Sequence, residues 1–215
     1  MKESVDNILE CTLINHPGLV NCKQQISQAF LLLQECYTHG GKILVCGNGG
    51  SAADAEHIVG ELMKGFRRKR KIPTTISKKL QTIFPEDWAY LANNLQGALP
   101  AISLVSQTSL STAFINDLSA DMVYAQQVYG YAQKGDILIG ISTSGNSPNI
   151  VNAFKVAKAL GIKTIGLTGA NGGQLTKYGT IVIAVPEIIT YRIQELHLPI
   201  YHALCAMLEA DFFEE

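Results

Sequence analysis

The chain has 215 residues, enough for a single domain that buries about 70% of the surface its unfolded form exposes. It is 47% hydrophobic and 16% charged, and its net charge of -1 supplies no global pull toward nucleic acid or a membrane surface. No run is apolar enough for a spanning helix, Met1-Lys2-Glu3 opens no signal-peptide core, and the five cysteines form no CxxC pair. A cytoplasmic protein with buried reduced thiols is expected, with neither nucleic acid nor membrane as partner.

Residues 4–39 read as two helices broken at His16-Pro17-Gly18. Ile26, Phe30, Leu33 and Tyr37 give the second its apolar stripe, and His39-Gly40-Gly41 stops it. An N-terminal helical hairpin of this kind, over residues 1–40, has no place inside a simple βαβ unit. It is expected on the side of the domain or against another subunit. Residues 42–46 then form a short apolar run, the pattern of a buried parallel strand. Gly47-Asn48-Gly49-Gly50-Ser51 follows, and Ala52, Ala53, Ala55, Ile58, Val59 and Leu62 recur at helical spacing. A strand, a glycine turn and a helix N-terminus, with Ser51 as the expected N-cap, make an anion site of bare N–H groups. His57 and Glu61 lie one turn apart on that helix, share a face, and can converge on one metal or one substrate.

The helix is expected to end in Arg67-Arg68-Lys69-Arg70-Lys71, read as a solvated, cation-rich C-terminus or as a basic rim for an anionic substrate. From about 70 to 97 the pattern weakens, and Pro73, Pro85 and a short helix near Trp88 suggest an insertion into the single domain. Residues 101–105 read as a strand, followed by helical patterning through Phe114 and over 121–132. Lys134-Gly135-Asp136 turns into the fully apolar strand 137–141. That strand ends in Ser142-Thr143-Ser144-Gly145-Asn146-Ser147, with Pro148 suited to the first turn of the next helix. The design of the first loop is thus repeated, and its four hydroxyls beside free N–H groups suit phosphate. Strands at 163–168 and 180–185 precede a last helix over 190–212, whose Ile193, Leu196, Ile200, Leu204 and Leu208 face a core. The fold expected is α/β, a doubly wound parallel sheet flanked by helices, with ligands beyond the C-terminal ends of its strands.

Three segments carry a family resemblance: Gly47-Asn48-Gly49-Gly50-Ser51, Ile141-Ser142-Thr143-Ser144-Gly145-Asn146-Ser147 and Arg192-Ile193-Gln194-Glu195. In this order and at this spacing the chain resembles the sugar isomerase (SIS) family over most of its length, apart from residues near 70–97. The resemblance implies an aldose–ketose isomerase converting sedoheptulose 7-phosphate to D-glycero-D-manno-heptose 7-phosphate, a step toward nucleotide-activated heptose and surface polysaccharide. It implies a metal set of His57, Glu61, Gln194 and His202, with Glu61 and His202 also catalytic. Substrate contacts are implied for Asn48, Gly49, Gly50, Ser51, Glu61, Asn116, Asp117, Ser142, Thr143, Ser144, Ser147 and Gln194. It further implies zinc, a homotetramer and active sites built between subunits. The residue chemistry agrees: isomerisation needs a base to move a proton between carbons, a role for Glu61, and an acid/base partner, a role for His202. His197 has no matched role and is read as packing or support.

Pro199 stands between Gln194 and His202, inside the last helix, where it removes a hydrogen bond. A straight helix would separate the Cα atoms of Gln194 and His202 by about 12 Å along its axis and about 80° around it. One metal can meet both only through extended side chains, a bend near Pro199, or a ligand from a neighbouring subunit; both are expected to line one pocket on the last helix, with a modest distortion at Pro199. Two rivals remain at this point. Gly47-x-Gly49-x-x-Ala52 approaches a dinucleotide fingerprint, but the basic run stands where an acidic ribose partner belongs. A non-catalytic relative, either a sugar-phosphate sensor or a replication-initiation adaptor, is the other; the adaptor type lacks the helix Glu and final His, which are present here as Glu61 and His202.

Overall fold

The structure, a computed structural model, describes residues 2–213. Five parallel strands form one sheet: β1 (Ile43–Gly47), β2 (Ala101–Ser103), β3 (Ile137–Ile141), β4 (Lys163–Thr168) and β5 (Ile181–Ala184), in the order β2-β1-β3-β4-β5. Alternate strand residues feed two cores. Ile43, Val45, Ile137, Ile139, Ile165 and Ile183 face one side, while Leu44, Cys46 and Leu138 face the other. Buried on both faces, these strands are continuous apolar runs, which is why they are legible in the sequence. The expected doubly wound α/β fold is what the structure shows, with strand boundaries shifted by one or two residues at β1, β2 and β5.

The first face is covered by α1 (Glu3–Asn15), α2 (Lys23–Thr38), α3 (Gly50–Met63) and α10 (Thr190–Phe212). The N-terminal hairpin therefore packs on its own domain. Val5, Leu9 and Leu13 of α1 and Ile26, Phe30 and Leu33 of α2 join the core, and a short 3-10 turn at Pro17–Cys22 makes the bend. The second face is covered by α7 (Val123–Tyr131) and α8 (Pro148–Ala159), with the short α9 (Leu175–Tyr178) beside them. Between the sheet's second strand and α7 lies α6 (Thr108–Asp117).

Residues 74–94 form α4 (Thr74–Ile83) and α5 (Trp88–Asn94), which pack on each other and bury no residue. The Gly97 N–H donates to the Arg70 carbonyl at 2.9 Å, so the excursion leaves and re-enters the domain at one hydrogen bond. Among the described residues no helix is long and apolar enough to cross a membrane. Cys22, Cys36, Cys46 and Cys205 are buried free thiols, and Cys11 is exposed.

The basic run departs from expectation. The helix α3 ends at Met63, and Lys64 is extended, so Arg67-Arg68-Lys69-Arg70-Lys71 is a separate segment. Arg70 is buried, at 1% exposure. Its Nη1 and Nη2 donate to the carbonyls of Leu62 and Glu61 at 2.6 and 2.9 Å, and its Nε donates to Glu209 Oε1 at 2.8 Å. Carbonyls at a helix C-terminus have no partner within the helix, and a guanidinium fork suits them. Glu209 also accepts the N–H groups of Phe66 and Arg67, both at 2.8 Å. Burial alone would raise the Glu209 pKa. The two backbone donors and the Arg70 guanidinium outweigh it and hold the carboxyl below its ordinary value.

Candidate active site

The strand order reverses between β1 and β3: the chain moves from β1 outward to β2, then returns to β3 on the other side of β1. Gly47 pairs with Ile141 in register, so the loops that follow these two strands leave side by side. This is the crevice where open parallel sheets hold ligands. Both loops are built tightly. A Cβ on Gly47 would lie 2.1 Å from the Ser51 carbonyl oxygen, and Gly49 has φ 57°, so glycine is required at both. Gly49, not Ser51, is the N-cap of α3; Ser51 sits inside the first turn and is buried. The Tyr124 hydroxyl donates to the Gly47 carbonyl at 2.7 Å. Asn48 and Asn149 exchange two amide hydrogen bonds, each 2.9 Å, and clamp the first loop to the start of α8.

Among the described residues, the N–H groups of Asn48, Gly49, Thr143 and Ser144 donate to no backbone carbonyl. The hydroxyls of Ser142 and Ser147 meet at 3.0 Å, and Ser144 Oγ accepts the Asn146 N–H at 3.1 Å. Bare N–H groups and small hydroxyls on adjacent loops, at helix N-termini, are suited to receive an anion. Gln194 belongs to this end of the molecule. A Cβ on Gly50 would stand 2.7 Å from its Nε2, so the α10 amide lies against the glycine loop. Asn116 and Asp117 are exposed at the end of α6 and bond to each other at 2.8 Å; they share no hydrogen bond with either loop among the described residues.

Two turns further along α3 the chemistry changes. Asp54, His57 and Glu61 form one stripe of that helix, facing Tyr201 and His202 of α10. His57 Nε2 is 3.3 Å from Glu61 Oε1, and the other carboxylate oxygen of Glu61 is 3.4 Å from Lys64 Nζ. His57 Nδ1 lies 3.1 Å from the Tyr201 hydroxyl, which donates to Asp54 Oδ1, also at 3.1 Å. The His202 ring stands edge-on to His57, with centroids 5.0 Å apart, and its Nε2 is buried with no partner. Burial, reinforced by His57, lowers the His202 pKa, against a raising effect of Glu61, so its imidazole is neutral near neutral pH. Burial also raises the pKa values of Asp54 and Tyr201, the latter further through Asp54, so the phenol keeps its proton.

The donor geometry can be tested against a metal. Two ligands about 2.05 Å from a tetrahedral zinc stand about 3.3 Å apart, and two imidazoles on one such ion put their centroids about 5 Å apart. The His57–Glu61 distance and the His57–His202 ring separation meet both figures. As they stand, no three His, Cys, Asp or Glu side chains among the described residues are gathered closely enough to hold an ion. The pair is set, and His202 is beside it rather than in it. Gln194, expected to share one pocket with His202, lies instead against Gly50. The helix α10 runs unbroken through Pro199 alongside α3. The seven residues from Gly50 to His57 rise about 10 Å, so Gln194 and His202 address different turns of the same helix.

Asp54 and Tyr201 are the site residues that sequence reasoning missed. The signal for Asp54 was its i, i+3 spacing to His57; for Tyr201 there was only its position beside His202. The reading of His197 as packing agrees with its place. It is fully buried, its Nε2 is 3.3 Å from the Thr168 carbonyl at the end of β4, and its Nδ1 has no partner. Burial lowers its pKa from 6.5 to about 4, against the raising effect of the Thr168 carbonyl. The unfolded chain therefore binds a proton that the folded chain refuses, and stability falls as pH drops from 6.5 toward 4. The expected loss is about 3 kcal/mol. Denaturant unfolding across that range should show it, and His197→Leu should flatten the slope. An equal acid slope in the variant would assign the loss to other groups.

The fold and the paired loops define a class. The profile of the SIS domain family matches residues 18–82 and 89–169, and the chain belongs to that family. Curated relatives at 36–42% identity carry the name phosphoheptose isomerase. It is 41% identical over 189 residues to the phosphoheptose isomerase of Aliarcobacter butzleri, covering 88% of this chain and 86% of that protein. The phosphoheptose isomerase structure from Neisseria gonorrhoeae superposes with a TM-score of 0.70 at 34% identity, over 89% of this chain and 87% of that one. The one from Francisella tularensis gives 0.69 at 32% identity, over 96% and 93%.

Proposed function

We propose that the chain is a sugar-phosphate isomerase that interconverts sedoheptulose 7-phosphate and D-glycero-D-manno-heptose 7-phosphate, supplying heptose for activation and surface-polysaccharide assembly. Family membership and the phosphoheptose isomerases at about 40% identity support the isomerase chemistry. The observation that carries the reading is the placement of a carboxylate–imidazole pair two turns along α3 from an anion site on the same helix. A seven-carbon chain anchored by its phosphate can lay its first carbons that far away.

In this reading Ser142, Thr143, Ser144, Ser147 and the glycine loop hold the phosphate. Glu61 takes a proton from the carbon next to the carbonyl and returns it to the neighbouring carbon, while neutral His202 moves a proton between the two oxygens. Gln194, placed at the glycine loop, holds a sugar hydroxyl. The His57–Glu61 pair, with His202 drawn in from beside it, would hold zinc, which would supply Lewis-acid stabilisation of the charge developing on the sugar oxygens. The homotetramer with sites between subunits, and a cytoplasmic setting that suits the four buried free thiols, belong to the same proposal. Glu61 and His202 together favour an enzyme over a replication-initiation adaptor.

The phosphate assignment is tested by comparing substrates. Sedoheptulose without its phosphate should be a poor substrate, and Ser144→Ala should raise KM for the phosphorylated sugar more than it lowers kcat. Equal turnover of the two sugars would contradict the assignment. Exhaustive chelation should abolish activity and added zinc should restore it. Full activity in protein shown by metal analysis to be metal-free would remove the metal from the account.

A further inference from the structure

Tyr201 and Asp54 have no part in the chemistry above, yet both are aimed at it. Tyr201 is 2% exposed, and its ring packs edge-on to both His57 and His202, with centroids 5.5 and 5.0 Å apart. Its hydroxyl bridges Asp54 Oδ1 and His57 Nδ1, each at 3.1 Å. A phenol has one proton to give, and an ionised carboxylate only accepts. The Tyr201 proton therefore goes to Asp54, and the phenolic oxygen is left to accept. What it accepts is the Nδ1–H of His57, which leaves Nε2 without a proton.

That nitrogen faces Glu61 Oε1 at 3.3 Å. A bare imidazole nitrogen and an ionised carboxylate oxygen are two acceptors. They repel unless a cation lies between them. Without the bridge, His57 would relieve the repulsion by moving its proton to Nε2 and donating it to Glu61. We propose that Tyr201, held by Asp54, is a positioning residue that fixes His57 as the Nδ1–H tautomer and so presents a bare Nε2, with Glu61, to a divalent cation. The inference deepens the reading of this site as a metal-dependent isomerase. It assigns the stripe Asp54–His57–Glu61 a single purpose: one carboxylate sets the proton, and the other shares the ion. Support behind a ligating histidine is commonly worth about 10–100-fold in metal affinity.

The test uses the full chain, stripped of metal and labelled with 15N-histidine, at a pH where the imidazoles are neutral. Long-range 1H–15N spectra report which ring nitrogen carries the proton, a readout that a merely structural role for Tyr201 would not move. Wild-type His57 should be protonated at Nδ1. Tyr201→Phe keeps the ring and its packing, and should release His57 to the Nε2–H form. Zinc affinity, measured by competition with a chelating dye, should fall about 10–100-fold. Asp54→Ala frees the Tyr201 proton to go to Nδ1, so it should enforce the Nε2–H form and weaken zinc at least as much. The proposal is overturned by an Nε2–H tautomer in the wild type, by unchanged tautomers in both variants, or by a tautomer change that leaves zinc affinity intact. Turnover of the sugar phosphate is assayed separately. A wild type with the expected tautomer and zinc response but no isomerisation would refute the enzymatic reading and leave the relay standing.

Discussion

Glu61→Gln is expected to cut isomerisation by about 10²–10⁴-fold or more, because an amide of the same shape cannot take the carbon-bound proton. The fold should survive. The side chain is 14% exposed, its partners are His57 and Lys64, and the variant keeps a hydrogen-bonding group in place. KM should move little if the phosphate loops carry most of the substrate binding. The measurement is the initial rate of ketose consumption by purified, zinc-supplemented variant, with circular dichroism as the check on folding. Near-normal turnover would exclude Glu61 as the base. A comparable loss accompanied by unfolding would show that the side chain is structural.

The second large effect is on stability. Glu209→Ala should destabilise the protein by about 3–5 kcal/mol, since it leaves the Arg70 guanidinium charged, buried and without its carboxylate. It also strips the acceptor from two backbone N–H groups. Because Arg70 holds the carbonyls of Glu61 and Leu62, the end of α3 that carries the Glu61 carboxylate should loosen as well. The wild-type contribution of Glu209 is present above its unfolded value of 4.5 and is lost as pH falls through its lowered folded value, so the cost of the variant should shrink in acid. Urea unfolding at neutral and acid pH measures it. A loss below about 1 kcal/mol would mean that the pair is solvated and worth no more than a surface ion pair.

That ion pair marks the limit of what the sequence shows. The strands of the sheet were legible because a doubly covered parallel strand must be apolar throughout, and 137–141 and 163–168 coincide with β3 and β4. The last helix was legible from its apolar spacing. Both loops at the sheet's crevice could be found because their glycines and hydroxyls are local requirements of a strand-to-helix turn. Arg70 could not be placed this way. Its fate depends on Glu209, 139 residues away, and charge in a basic run carries no sign of which member turns inward. Ser51 was a reasonable N-cap by residue type, but the backbone reverses two residues earlier, at Gly49, where only glycine is comfortable. The Asp54–Tyr201–His57 relay depends on how α3 and α10 lie against each other. It is a property of packing, with only spacing along one helix to hint at it.

Gln194 illustrates the same point within the site. Its spacing from His202 showed that a straight helix would part them, and the structure sets one against the glycine loop and the other against His57. The candidate site is therefore extended along α3, from the two loops at its N-terminus to the His57–Glu61 pair two turns on. An elongated sugar phosphate suits that arrangement.

The central claim is best tested by incubating the zinc-loaded protein with sedoheptulose 7-phosphate and following the sugar by NMR. Appearance of the aldose anomeric signals of D-glycero-D-manno-heptose 7-phosphate, at a rate that Glu61→Gln abolishes, is the predicted result. No aldose from the folded, zinc-loaded wild type, or equal conversion by the Glu61 variant, would contradict it.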